Sequence, residues 1–154
     1  VQDVHIRRAT LLDVEQIAVF QAACWQEAYR GIVPDAFLDA MDPAERVTNW
    51  RRRIEQYERE VAIALDAVGV VGVASWTPGV VDELNTFYVA ERAHGTGLSA
   101  RLLAESIADR PAALWVFANN ARARRFYSKH GFRLTGESQI DVGTGVEEVR
   151  LSRQ

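Results

Sequence analysis

The chain has 154 residues, 48% apolar and 25% charged, with a formal charge of −3, a profile that fits one globular domain over 1–154 and excludes a disordered or fibrous chain. The acidic balance argues against a nucleic-acid partner, and no stretch approaches the ~20 apolar residues of a membrane span. A single cysteine, Cys24, leaves no internal disulfide framework; with no leader pattern at the start of the chain, the expectation is a cytoplasmic protein without a membrane partner.

Val4 to Arg8 alternates and reads as a first strand. Thr10-Leu11-Leu12-Asp13 has the form of a capping box. It opens a helix whose apolar side carries Val14, Ile17, Ala18, Cys24, Trp25 and Ala28, and which Gly31 stops. Pro34 opens a short helix to Met41, and Asp42-Pro43 starts another that runs to about Tyr57. Val61 to Leu65 and Val70 to Trp76, joined by a turn at Asp66 to Gly69, read as a hairpin. Val81 to Val89 is the next strand, followed by a helix over Leu98 to Asp109 and a strand over Ala113 to Phe117. Asn119-Asn120 caps a helix with Ala123, Phe126 and Tyr127 on its apolar side, ending at Gly131. Phe132 to Ile140 and Val146 to Leu151 form a second hairpin across Gly143-Thr144-Gly145. This order implies an α/β (α+β) fold, a mixed sheet with helices packed on it.

Chemistry concentrates in Phe87 to Leu103, FYVAERAHGTGLSARLL. A strand end, a Gly-Thr-Gly turn and a helix start make an anion cradle. The first N–H groups of a helix lack intrahelical partners and sit at the positive end of its dipole, and glycines let a phosphate approach the backbone. Gly95-Thr96-Gly97-Leu98-Ser99-Ala100 formally satisfies the dinucleotide pattern G-x-G-x-x-G/A. Yet Ala90 to His94 separate it from the strand, and too little chain follows for a second half of such a sheet.

The same stretch resembles motif A of the GCN5-related N-acetyltransferases (GNAT), an aliphatic-aromatic-Val strand end followed by Q/R-x-x-G-x-G/A and a helix with Leu-Leu. One register starts at Arg92. The other starts at His94 and keeps the spacing to Phe87-Tyr88-Val89 and to Leu102-Leu103, at the cost of His94 for Arg or Gln and Ser99 for Gly or Ala; we prefer it. Asn120, Ala123, Phe126, Tyr127, Gly131 and Phe132 reproduce the family's N-x-x-A-x-x-F-Y-x-x-x-G-F pattern, one strand later. The resemblance implies a mostly antiparallel, twisted sheet of about seven strands flanked by helices.

It also implies acetyl-CoA as acetyl donor, transfer to a primary amine of a small molecule or peptide, and no metal. The loop His94, Gly95, Thr96, Gly97, Leu98, Ser99 and Ala100 would bind the pyrophosphate. The strand residues Phe87, Tyr88 and Val89 would meet the pantetheine arm, whose amides pair with main chain like an added strand. Tyr127 matches the tyrosine near the thioester sulfur, a general acid, and is otherwise a packing aromatic. Glu83 matches a strand glutamate that works as base directly or through water; Asp82 and ordered water are the alternatives. Asn120 either bonds CoA or only caps its helix. Arg122, Arg124, Arg125 and Lys129 form a solvated face or meet the adenosine phosphate. Trp25 and Tyr29, four apart on one helix face, either line the acceptor site or anchor the helix. Cys24 reads as core, and His5 and His130 lack partners at metal-ligand spacing. Beside the enzyme reading stand a silent CoA-binding sensor module and a dinucleotide-binding oxidoreductase. The sequence does not distinguish monomer from homodimer, nor the amine class.

Overall fold

The strand-type runs of the sequence assemble into one sheet of seven strands in a computed structural model that describes residues 3–154. They are β1 (His5–Arg8), β2 (Glu60–Leu65), β3 (Val70–Thr77), β4 (Asp82–Val89), β5 (Ala112–Phe117), β6 (Arg133–Ile140) and β7 (Glu147–Arg153). Their order in the sheet is β1-β2-β3-β4-β5-β7-β6, and only the β4–β5 pair is parallel. The helices are α1 (Val14–Tyr29), α2 (Asp35–Asp39), α3 (Pro43–Glu55), α4 (Leu98–Ser106) and α5 (Ala121–Lys129). No helix among the described residues is long and apolar enough to cross a membrane.

Local chemistry sets the helix ends. The Asp13 carboxylate accepts the Thr10 N–H at 2.7 Å while the Thr10 hydroxyl accepts from Leu12 N–H at 3.3 Å, completing the capping box over a single 3-10 turn before α1. Asp42 accepts from Ala44 N–H at 3.0 Å, with Pro43 at the first helical position of α3. The expected helix from Leu98 to Asp109 is shorter, ending at Ser106. There the Ser106 hydroxyl donates back to the Leu102 carbonyl at 2.7 Å, and Ala108 turns the chain with φ of 51° before Pro111.

Helices cover both faces of the sheet. On one face Leu102, Leu103 and Ile107 with Tyr127 and Phe132 pack on Ala74, Trp76, Leu84, Leu114 and Val116. On the other, Ile17, Ala18, Cys24 and Trp50 pack on Val61, Ile63 and Val73. Trp50 and Trp76 are fully buried, and truncating either to alanine costs about 3–5 kcal/mol. Trp50 donates its buried indole N–H to Gln21 Oε1 at 2.8 Å, so no polar atom is orphaned by that packing.

Two irregularities position the site. β4 and β5 pair only through Asp82↔Ala112 and Glu83↔Ala113, then part. On its other edge β4 carries a bulge at Asn85, which has no partner between Ser75↔Thr86 and Trp76↔Leu84. The bulge twists the strand just beyond the point where the sheet splits.

Candidate functional site

The split opens into a cleft of about 1130 Å³ that runs from the glycine loop past β4 and β5 to α1. Its floor is main chain. The Ala90 N–H bonds the Val71 carbonyl, so by the two-residue alternation of an antiparallel ladder Tyr88 and Thr86 also bond β3. Phe87 and Val89 therefore turn their N–H and C=O groups away from β3, toward the gap that β5 leaves. Those groups form a ready edge for an extended, amide-bearing ligand.

At the upper end Gly95 and Gly97 take φ of +79° and +88°, values a side chain adopts only with strain. Gly97 caps α4. The N–H groups of Gly95, Gly97, Ser99 and Ala100 have no acceptor among the described residues, while Thr96 N–H bonds the Ala93 carbonyl. A Cβ at either glycine would meet nothing within 4 Å, so the space above these donors is open. Unpaired donors at a helix start beneath open space fit a phosphate-sized anion. Ser99 contributes its N–H, which does not depend on its side chain.

The two possible motif starts are placed differently. Arg92 is held by Asp66 on the β2–β3 turn, away from the loop. His94 is half-buried and folds back, its Nε2 lying 3.1 Å from the Val89 carbonyl oxygen. A carbonyl only accepts, so Nε2 carries the proton. The resemblance sets His94 in the pyrophosphate loop, and its ring is turned back to the strand end. The ring instead occupies one of the main-chain acceptors expected to meet a pantetheine arm, which leaves Phe87 and the Val89 N–H free.

Tyr127 on α5 is buried and lines the cleft, its ring packed against Phe87, Phe126 and Phe132. Its hydroxyl makes no hydrogen bond among the described residues, yet it is not a sealed, unsatisfied group, so it opens on the cleft. Burial pushes its pKa well above the ordinary tyrosine value, with the Tyr88 hydroxyl adding to the rise. Asn120 does cap α5, accepting from Ala123 N–H at 3.2 Å. Its carboxamide also borders the cleft, leaving the amide N–H groups available. Arg122, Arg125 and Lys129 line the cleft, whereas Arg124 is turned to the Ala118 carbonyl at 2.9 Å.

The α1 side is aromatic. Trp25 meets Tyr29 edge-on with ring centroids 4.7 Å apart, and Tyr29 meets Phe117 at 5.0 Å. Trp25 Nε1 donates to the Tyr88 hydroxyl at 2.8 Å. Both residues line the cleft, and Tyr29 also belongs to a small core with Val33, Leu38 and Phe117, so anchoring and lining coincide. Cys24 is buried, and its thiol is pushed up to about 12 by burial and by nearby Glu27. Among the described residues no cluster of His, Cys, Asp and Glu is arranged to hold a metal.

Glu83 is the main departure from expectation. Its oxygens accept two hydrogen bonds from Arg150 at 2.6 and 2.7 Å, and Glu83 is absent from the cleft lining. Each oxygen keeps a second lone pair, but a base must reach its substrate's proton, and outside the cleft lining this carboxylate is not placed to do so. Asp82 is likewise committed, accepting from Arg110 at 2.8 Å and from Gly79 N–H at 3.2 Å. Four carboxylates line the cleft; Glu27 and Glu91 are exposed and Asp141 accepts from the Thr144 N–H and hydroxyl, which leaves Glu148 on β7, opposite Phe117. It is half-buried and accepts one hydrogen bond, from Gln139 at 3.0 Å. Partial burial and neighbouring Asp141 raise its pKa, against the lowering effect of Gln139. Sequence reading passes over Glu148 because nothing in Val146 to Leu151 separates it from a solvated strand carboxylate.

A family model for the acetyltransferase (GNAT) domain matches residues 19–149. The chain belongs to the GNAT acetyltransferase family. An uncharacterized N-acetyltransferase of Bacillus subtilis, YuaI, is 30% identical over 66% of this chain and 61% of its own, so the match spans about three-fifths of that relative. Among solved structures, the PaiA N-acetyltransferase of Thermoplasma acidophilum in complex with coenzyme A aligns at 17% identity and TM-score 0.77, covering 99% of both chains. The ribosomal-protein-alanine N-acetyltransferase of Brucella melitensis aligns at 22% identity and TM-score 0.72, covering 97% of this chain and 98% of that one. The GNAT fold is thus shared, with the parted β4–β5 pair and glycine loop of this chain set within it.

Proposed function

We propose that this chain, acting as one domain, transfers an acetyl group from acetyl-CoA to a primary amine by direct attack in a ternary complex. The observation that carries the proposal is the conjunction of the glycine loop's unpaired N–H groups with the unpaired β4 edge at Phe87 and Val89 in one cleft. The T. acidophilum relative, solved with coenzyme A, supports the donor.

In this reading Gly95, Gly97, Ser99 and Ala100 donate to the pyrophosphate, and Phe87 main chain pairs with the pantetheine amides. Asn120 offers its amide N–H groups beside them. Tyr127 stands where the sulfur departs. Its raised pKa keeps the hydroxyl protonated at neutral pH, so it can hydrogen-bond the departing sulfur and pass it a proton, which the buried tyrosinate recovers from the proton shed by the attacking amine. An amine of pKa ~10.4 must lose its proton, about 4 kcal/mol uphill near pH 7.4, and Glu148, the half-buried glutamate of the cleft, takes it. Trp25 and Tyr29 form the acceptor's wall.

Thermal melts with each ligand test this reading. Acetyl-CoA at 100 times its Kd should stabilise the fold by about 2.7 kcal/mol, and NAD should not. Stabilisation by NAD with none by acetyl-CoA would overturn the assignment in favour of a dinucleotide site.

A further inference from the structure

Two half-buried arginines of this chain have a carboxylate partner, Arg7 with Asp13 and Arg150 with Glu83, while Arg124 and Arg153 bond backbone carbonyls. Even the exposed Arg30 has Asp35 and Asp39. Three arginines around α3 do not. Arg46 stacks on the Trp25 ring with its guanidinium carbon 5.2 Å from the centroid, and Arg53 on Trp50 at 4.8 Å. Arg59, after α3, reaches the buried hydroxyls of Ser75 and Thr86 only at 3.4 and 3.5 Å. None of the three forms a salt bridge among the described residues. Glu58, which lies within electrostatic reach of Arg53 and Arg59, is bonded to Arg52, and Glu45 only faces Arg46 from a distance.

These cations converge. Arg46 stacks on Trp25, whose indole N–H donates to the Tyr88 hydroxyl, and Arg59 reaches Thr86, two residues before Tyr88 on the same face of β4. Arg53 lies within electrostatic reach of both Arg59 and Tyr88. Their grouping has a cost: burial lowers the pKa of each, with Arg53 down to about 10, where Arg59 and Arg52 add to the effect. Packing on tryptophan accounts for Arg46 and Arg53. It leaves Arg59 unexplained, since two neutral hydroxyls at the outer limit of hydrogen bonding are poor return for a desolvated guanidinium. The niche also abuts the cleft, because Trp25, Thr86 and Tyr88 line it and flank Phe87.

We propose that the Arg46, Arg53 and Arg59 niche binds an oxyanion carried by the acceptor, a carboxylate or a phosphoryl-type group, so that the acetylated amine belongs to an acid-bearing molecule of the amino-acid class. The occupant's identity as an acceptor rests on the acetyl-transfer reading; the anion site itself does not. Guanidinium groups suit this role because their planar donors match an oxyanion's paired lone pairs. A polyamine or an aminoglycoside-like cation would meet repulsion at the same place.

Two arms test it separately. In the first, glutarate and inorganic phosphate are titrated calorimetrically against the protein saturated with acetyl-CoA, at constant ionic strength, so that the glycine loop is already filled. At least one of them should bind, and the tighter of the two identifies the oxyanion class. Arg59→Gln should weaken that binding about ten- to a hundredfold, the usual scale for losing a charged hydrogen bond, while Arg59→Lys should keep part of it. Binding of neither probe, or equal binding by wild type and a correctly folded Arg59→Gln, would overturn the niche. In the second arm, turnover of matched acceptors is compared: glutamate with its diamide, and phosphoethanolamine with ethanolamine. The acid-bearing member should have the higher kcat/KM, and the preference should collapse in Arg59→Gln. Turnover favouring the neutral members would overturn the acceptor class even if glutarate binds. Failure of acetyl-CoA to bind would instead count against the acetyl-transfer reading, and the first arm, repeated on the protein alone, would still decide the niche.

Discussion

At the residue scale the account turns on which carboxylate is free. Glu83 has the place in the chain that family resemblance assigns to a base, but Arg150, 67 residues away, takes both its oxygens. Glu148 has no such history in the sequence, yet it faces the cleft with one weak claim on it. Its pKa is raised, so it becomes an active base only as pH climbs through a value above the ordinary carboxylate range. We therefore expect kcat/KM to carry a rising acid limb that Glu148→Gln removes, whereas Glu83→Gln should leave that limb in place. A pH–rate profile of both variants checks this, and loss of the limb in Glu83→Gln would return the role to Glu83. The difference shows what a sequence exposes at this scale. The place of Tyr127, Asn120 and the loop glycines at the cleft was legible because it follows from neighbours in the chain. Glu148 and the unpaired arginines were not, because strand pairing brings Glu148 to the cleft and helix packing sets the arginines beside Trp25 and Thr86.

At the scale of elements, short-range chemistry carries most of the prediction. The capping box at Thr10, the Asp42-Pro43 start and the glycine stops were all readable, because each depends on hydrogen bonds within a few residues. What sequence missed was long-range reinforcement. Asp13 serves the cap of α1 and also takes two hydrogen bonds from Arg7 on β1, each 2.8 Å, tying helix start to edge strand. The Arg7 guanidinium, together with the Thr10 N–H, holds the Asp13 carboxyl below the usual carboxylate range, against the opposing effect of burial. Replacing Asp13 with alanine should cost about 2 kcal/mol, combining a lost cap with a partly exposed charge pair. A depressed folded pKa means this contribution is complete above pH ~4, the unfolded carboxyl value, and fades as pH falls through the lower folded one. Denaturant melts at pH 7 and at pH 2 should therefore differ by less in Asp13→Ala than in wild type. Equal pH sensitivity would remove Asp13 from the account. Helix α4 gives the converse lesson: its apolar period continues to Ile107, but the Ser106 back-bond and the left-handed Ala108 end it first.

At the scale of the molecule the order of elements implied a mixed sheet and the family resemblance a mostly antiparallel one of about seven strands, and the structure bears both out. The place where β4 and β5 part was not legible, because it arises from register and twist rather than from composition. That parting makes the site: it frees the Phe87 main chain, leaves room beneath Tyr127, and joins the glycine loop to the aromatic wall of Trp25 and Tyr29. The most direct test of the whole arrangement is amine-dependent release of the CoA thiol from acetyl-CoA, measured for wild type and Tyr127→Phe at saturating donor. The account predicts release by wild type only when an amine acceptor is present, and a fall of about 10²–10⁴ in kcat for Tyr127→Phe with acetyl-CoA affinity unchanged. Tight acetyl-CoA binding with no thiol release across amine classes would make this chain a silent CoA-binding module, and unchanged turnover in Tyr127→Phe with chemistry rate-limiting would contradict the assigned acid.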